Sequence, residues 1–254
     1  MNVPAFNDWI ATPPEGVGMG RMAAALVVTV VFTLAARWLR GVTASGAIAG
    51  AGISFVLYVC AGPGGFVVLV AVFLLTLLAT RLGYSKKQRL GISETKAGRT
   101  ASQVLANLSV AAISAVVAVV EGNSIFVLGC IAALAEAAAD TVSSEYGQAV
   151  SQQPRLITSW KIVSPGTDGA ISVAGTVAGI FSALLVSGIA GVLRLLPWRW
   201  MAFCAAAGTV GMLIDSLLGA SLERHRRLNN DAVNFLSTLS AALIAMLLAG
   251  AAQP

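Results

Sequence analysis

Histidine, cysteine and charge are all scarce in this chain, and each scarcity removes a class of function. The one histidine in 254 residues, His225, sits between arginines in the run ERHRR and reads as a solvated loop residue. A His-ligated metal centre and a Ser-His-Asp triad are thereby excluded. The three cysteines, Cys60, Cys130 and Cys204, each lie alone in an apolar segment, so neither a disulfide framework nor a CxxC metal site can be assembled, and they read as core filler. Charged residues make up 11% of the chain against 57% hydrophobic, with a mean hydropathy of +0.84. That leaves too little polar surface for a soluble domain. The sequence also has no Walker A pattern and no kinase glycine-rich loop set. At the amino end, MNVPAFNDWIATPPEGVGMG lacks a basic stretch ahead of an apolar core, so residues 1–20 read as an exposed tail rather than a cleavable signal.

What is abundant is apolar sequence in long runs. At about 20 apolar residues per span, helices are expected near 22–39, 44–61, 64–81, 103–120, 125–147, 169–192, 200–221 and 232–250. The expected fold is all-α: a polytopic integral membrane bundle of about eight transmembrane helices. One transmembrane domain, 21–254, would have loops near 82–102, 148–168 and 222–231. Arg37, Arg40, the block RLGYSKKQRLGISETKAGR, Arg155, Lys161 and ERHRR then fall on one side, leaving Arg21, Arg194 and Arg199 on the other. By the positive-inside rule both termini lie outside a cell inner membrane and the basic loops are cytoplasmic. The net charge of +5 is therefore a topology signal. Nucleic acid is a poor partner, because the basic residues are not interleaved with exposed aromatics.

Against that background the carboxylates stand out. Asp8, Glu15 and Glu121 map outside, whereas Glu136, Asp140, Glu145, Asp168, Asp215 and Asp231 map to the cytoplasmic half or edge of the membrane. The run AEAAADTVSSEYG closes an apolar helix, and an ionised carboxylate at the bilayer centre costs roughly 2.5 to 3.5 kcal/mol even on insertion scales. With residues four apart sharing a face, Glu136, Asp140 and Ser144 form one polar stripe and Thr141 with Glu145 a second, about 100° around. Fraying into water would account for Glu145 and Glu136, and less readily for Asp140. An Asp beside Thr and Ser is a hard-oxygen site of the kind that suits Mg²⁺.

Four other stretches supply partners. In PRLITSWKIVSPGTDGAIS, Pro165 and Gly166 force a turn before a helix, whose free N–H groups form a ready phosphate site, with Thr167 or Asp168 as N-cap. Gly166 and Gly169 serve either that site or the turn alone. Lys161 and Arg155 serve either to neutralise phosphate or to set topology. In GTVGMLIDSLLGASLE, Asp215 and Ser216 lie inside an apolar helix, with Gly211 and Gly219 on the same four-spaced row as Asp215, allowing close backbone approach. LNNDAVNFLS then opens the last helix, where Asn230 serves as a cap or a ligand and Asn234 lies one turn further in. Finally, Gln103 and Asn107 share a face where GRTASQVLAN enters its span, through a packing hydrogen bond or a ligand contact. TASGAIAGAG (Thr43 to Gly52) also resembles TDGAISVAG (Thr167 to Gly175), which suggests a duplicated four-helix unit whose first copy lacks the Asp.

Together ADTVSSEYG, PRLITSWKIVSPGTDGAIS, DSLLGASLE, LNNDAVNFLS and GRTASQVLAN resemble the membrane-protein family, long of unknown function, that includes the phytyl-phosphate kinase of the vitamin E pathway. The resemblance runs from about Lys96 to Ser237, with departures at Ala170 and Leu108, where the family often has Gly. It implies phosphorylation of an isoprenyl monophosphate to the diphosphate by a nucleoside triphosphate, CTP favoured over ATP, with Mg²⁺. Asp140, Asp215 and Lys161 would be catalytic, and Asp140, Glu145, Asp168 and Asp215 would hold the metal. Asn107, Thr141, Ser144, Glu145, Gly166, Thr167, Asp168, Gly169, Ser216, Asn230 and Asn234, with Arg99, Thr158 and Ser172 from the same motifs, would bind substrate and nucleotide. Membrane lipids and a prenyl monophosphate are the implied partners. Two other classes stay open: a transporter or flippase of isoprenyl phosphates, and a membrane nucleotidyl or CDP-alcohol phosphotransferase, although the acidic signature expected of the latter is absent.

Overall fold

The computed structural model describes residues 19–93 and 95–252. The expected tail, with Asp8 and Glu15, therefore lies outside the described residues apart from Met19 and Gly20. The helices are α1 (Met19–Trp38), α2 (Ala44–Arg81), the short α3 (Tyr84–Arg89), α4 (Ala101–Glu121), α5 (Ile125–Val150), α6 (Val173–Val192), α7 (Trp198–Leu218) and α8 (Asn230–Ala251). Two-residue strands β1 (Arg155–Leu156) and β2 (Ala170–Ile171) pair antiparallel between α5 and α6. Among the described residues, seven helical segments are long and apolar enough to cross a membrane. The fold is an all-α polytopic bundle.

The second of those segments is two passages. A straight helix of 38 residues would run about 57 Å and leave its ends far apart. Both ends instead return to the end of α1: the Arg81 guanidinium donates to the Leu39 carbonyl, Arg37 donates to Val42 O at 2.7 Å, and Phe73 packs on Gly41. The reversal is at Gly62, with φ +74°, followed by Pro63, where an L side chain would be strained and a helical N–H is missing. The halves 44–61 and 63–81 thus run antiparallel, with Phe32 of α1 edge-on to Phe66 and Phe73 at 5.4 and 5.3 Å. This gives the eight passages expected from hydropathy, with a tight turn where the second span meets the third.

At the centre stands α5, packed against α2, α4, α6, α7 and α8. Its stretch from Leu128 to Ala139 is buried on every side, and half of it is alanine. Small side chains let five neighbours approach closely, as in membrane bundles generally. The carboxylates of α5 therefore face protein, and the apolar surface left exposed is on the periphery, for example Leu26, Val31 and Leu34 of α1.

One end of the bundle gathers the basic loops. The segment after α3 docks on the start of α2: Arg99 N donates to Gly41 O at 3.0 Å, and Thr43 N donates to Arg99 O at 2.9 Å. Gly98 allows this approach, since a Cβ there would meet the Gly41 and Val42 backbone at about 2.5 Å. Lys87, 1% exposed, pairs with Glu145 of α5 and donates to Thr80 O at 2.8 Å, while Lys86 donates to Ala149 O at 2.8 Å.

Two expected helix starts move. The helix expected from 169 begins at Val173, capped by Ser172, which accepts from Gly175 N, rather than by Thr167 or Asp168. Gly166 (φ +82°) and Gly169 (φ +73°) hold the preceding loop out of helical geometry so that β2 can pair with β1. The last helix is capped by Asn229, accepting from Ala232 N at 2.9 Å, which frees Asn230 from the capping role.

Candidate functional site

At the basic end, α4, α5, α7, α8 and the segment leading into α6 enclose a polar cavity of about 220 Å³. Asp140 enters it from α5 and Asp215 from α7, so that the two carboxyl groups are neighbours in one cavity. Ser237 of α8 donates to Asp215 Oδ2 at 3.2 Å. Glu136 lies one turn deeper, 1% exposed, its Oε1 without a hydrogen-bond partner among the described residues. The glycine row of α7 makes room for it: a Cβ on Gly211 would stand 2.6 Å from Glu136 Cγ.

Arg99 supplies the positive charge. Its backbone is pinned between Gly41 and Thr43, and its guanidinium donates to Thr141 Oγ1 at 3.1 Å, one residue from Asp140. Thr100 caps α4 in a capping box with Gln103, whose Oε1 accepts from Thr100 N at 2.8 Å, and Asn107 donates to Gln103 O at 2.9 Å. Capping thus fixes the helix end that presents Gln103 and Asn107 to the cavity.

On the far wall α7 continues into a π-helical turn, Gly219–Glu223, a distortion that is frequent at functional sites. The loop Pro165–Ala170 rests on it: a Cβ at Gly169 would come within 2.3 Å of Ala220 N, and one at Gly219 within 2.9 Å of Gly169 N. Asp168 and Glu223 line the cavity together as a consequence.

Most residues singled out from the sequence meet here. Arg99, Asn107, Asp140, Thr141, Ser144, Glu145, Gly166, Thr167, Asp168, Gly169, Ser172, Asp215, Ser216, Asn230 and Asn234 all line the one cavity. Lys161 and Thr158 do not. Both are exposed on the hairpin after β1, where Lys161 O accepts from Leu156 N at 2.9 Å and the chain folds back on itself. Glu145 lines the cavity but spends one oxygen on Lys87. Sequence reasoning missed Lys87, which reads as one more basic loop residue, and Glu223, which continues the four-spaced row Asp215–Gly219 by one step. It also passed over Ser237, whose contact with Asp215 has no signature in spacing.

A second cavity, of about 340 Å³ and apolar, lies between α1, both halves of α2 and α4. Among the described residues it shares Arg99, Gln103 and Asn107 with the polar one.

Comparison with known proteins gives a coherent set. The chain is 34% identical over 228 residues to the uncharacterized membrane protein MJ0933 of Methanocaldococcus jannaschii, covering 90% of this chain and 94% of that one. It is 29% identical over 217 residues to the chloroplastic protein VTE6 of Arabidopsis thaliana, covering 82% of this chain and 65% of that one. Protein PGR of the same plant is 29% identical over 233 residues, 80% of this chain and 79% of its own. No solved structure matches. Residues 27–242 match the family model for integral membrane protein DUF92, in agreement with the resemblance carried by the motifs, and the chain belongs to that family.

Proposed function

We propose that this protein is an integral-membrane kinase of isoprenyl monophosphates, making the diphosphate of phytyl phosphate or a similar lipid from a nucleoside triphosphate, CTP or ATP. The observation that carries the reading is the pair Asp140–Asp215 beside Arg99, in a polar cavity that adjoins an apolar one. Two carboxylates in contact repel unless a proton or a cation joins them. Among the described residues no three His, Cys, Asp or Glu side chains form a metal cage. Mg²⁺ does not need one, since it binds through one or two carboxylates, waters and substrate phosphates. Asp140 and Asp215 are the residues that would hold it, with Asp168 and Glu223 across the cavity; when bound, the ion offsets charge on the transferring phosphoryl group.

The chain's own groups do the rest by position and charge, as phosphoryl transfer requires. Arg99 draws the lipid phosphate to the seam of the two cavities. Hydroxyls of Thr141, Ser144, Ser172 and Ser216, the amides of Asn107, Asn230 and Asn234, and the turn Gly166–Gly169 offer donors to the triphosphate. An oxygen of the lipid phosphate attacks the γ-phosphorus, the bond to the β-phosphate bridging oxygen breaks, and the nucleoside diphosphate leaves. With the basic end cytoplasmic and both termini outside an inner membrane, the lipid stays in the bilayer while its head meets the soluble donor.

The test is direct. Purified protein with Mg²⁺, CTP or ATP and phytyl or geranylgeranyl monophosphate should give the diphosphate, and EDTA should abolish it. If no triphosphate is consumed while labelled prenyl phosphate crosses liposomes, the protein is a transporter instead.

A further inference from the structure

We infer that the apolar cavity between α1, the α2 hairpin and α4 is a slot for the single hydrocarbon chain of a lipid phosphomonoester, and that Gly50 sets the length of chain admitted. This deepens the kinase reading and rests on it for the identity of the head group. The cavity wall is built from Phe32, Leu69, Val72, Phe73 and Leu77, with Ala47 and Gly50 opposite. Its mouth carries Arg40, Arg81, Lys96 and Arg99. An oily pocket rimmed by cations suits an amphiphile with an anionic head. About 340 Å³ is near the lower end of ligand pockets, roughly 300 to 1,000 Å³, which favours one chain over the two of a membrane phospholipid.

Direction comes from the shared wall. Arg99, Gln103 and Asn107 face both cavities, and the Arg99 guanidinium is held on Thr141, next to Asp140. A head group drawn to Arg99 is therefore delivered to the carboxylate pair, while its tail lies between the helices. Gly50 is the gate because it lines the cavity and a Cβ there would have no atom of the described residues within 4 Å. Any larger side chain enters the cavity without first displacing protein.

The experiment uses the full chain in lipid nanodiscs with a twenty-carbon prenyl monophosphate carrying a diazirine on its terminal isoprene unit. Photolysis should place adducts on the wall formed by Phe32, Leu69 and Phe73. In Gly50→Leu those adducts should fall by roughly tenfold, and kcat/KM for the twenty-carbon substrate should fall by a similar factor relative to a ten-carbon one. Adducts confined to lipid-facing residues such as Leu26 and Leu34, or an unchanged chain-length ratio in Gly50→Leu, would overturn the slot even with kinase activity intact. Loss of the wall adducts to excess phosphatidic acid would also overturn it, by giving the cavity to membrane phospholipid. Adducts on the wall without any phosphoryl transfer would uphold the slot and sink the kinase reading.

Discussion

The helices α2 and α6 begin with the same device and use it differently. The register given by the caps aligns TASGAIAG, Thr43 to Gly50, with SVAGTVAG, Ser172 to Gly179, five residues along from the match first suggested by sequence. In each, a hydroxyl cap accepts from the glycine N–H three residues on: Thr43 from Gly46 at 3.1 Å, Ser172 from Gly175 at 3.1 Å. In each, that glycine lies against a neighbouring carbonyl: a Cβ would stand 2.1 Å from Arg99 O at Gly46 and 2.5 Å from Ser143 O at Gly175. One turn further the two diverge. Gly179 is closed in by Met212 Sδ and Ala139 O, at 2.3 and 2.9 Å from a built Cβ, whereas Gly50 opens on the apolar cavity. A capped, glycine-faced helix start can therefore either seal a site or make room beside it. The α6 half carries the carboxylates and is sealed; among the described residues the α2 half carries no acidic group at its cavity, and it is open.

The sharpest way to break this division is to remove charge from the sealed half. Asp140→Asn and Asp215→Asn should each lower kcat at least about a hundredfold, equivalent to about 3 kcal/mol of lost transition-state stabilisation. Both variants should stay folded, and without Mg²⁺ should melt slightly higher, since a like-charge contact is relieved. Full activity in Asp140→Asn would return the ADTVSSEYG segment to a structural role.

Next in size is the tie between the halves. Lys87→Met leaves Glu145 without its cation at 13% side-chain exposure. The expected cost is about 2 to 3 kcal/mol, below the 3 to 5 typical of a fully buried pair, read as a lower midpoint in detergent unfolding. An unchanged midpoint would show that α3 contributes nothing to docking on α5.

The glycine pair tests the comparison itself. Gly179→Ala should destabilise by about 1 to 3 kcal/mol, because the Ala139 backbone cannot move aside as a Met side chain can. Gly50→Ala should be neutral or stabilising by up to about 1 kcal/mol, the usual gain of alanine over glycine in a helix. Equal effects at the two positions would dissolve the distinction between the closed and open copies.

Much of this was legible from pattern. Apolar run length located every span, because the bilayer imposes the length, and the unfavourable placement of Asp140 and Asp215 in such runs singled out two residues that meet in the polar cavity. Cap positions were less legible. Ser172 and Asn229 cap their helices where Asp168 and Asn230 were equally good candidates by residue type, and only the pairing of β2 with β1 decides the first case. The apolar cavity had no signature at all, since a helix lining an open slot and one packed on a neighbour use the same residues. The Lys87–Glu145 pair was hidden for a similar reason: 58 residues of chain separate its members, and a lysine in a basic loop looks the same whether it is solvated or inserted.

The smallest expected effect falls on the residue where sequence and structure part most clearly. Lys161 belongs to a motif of the resembled family and suggests a phosphate ligand, yet its side chain is exposed on the hairpin after β1, outside both cavities. What the hairpin needs from this position is the carbonyl that accepts from Leu156 N, and alanine keeps it. An exposed lysine on the basic face contributes to topology as one charge among many. Lys161→Ala should therefore leave kcat/KM for both substrates within about twofold, or about 0.4 kcal/mol, measured at saturating and limiting triphosphate. A rise in KM for the triphosphate of tenfold or more, at constant kcat, would mean that the hairpin closes over the polar cavity when nucleotide binds. The sealed half would then have a moving wall that the open half lacks.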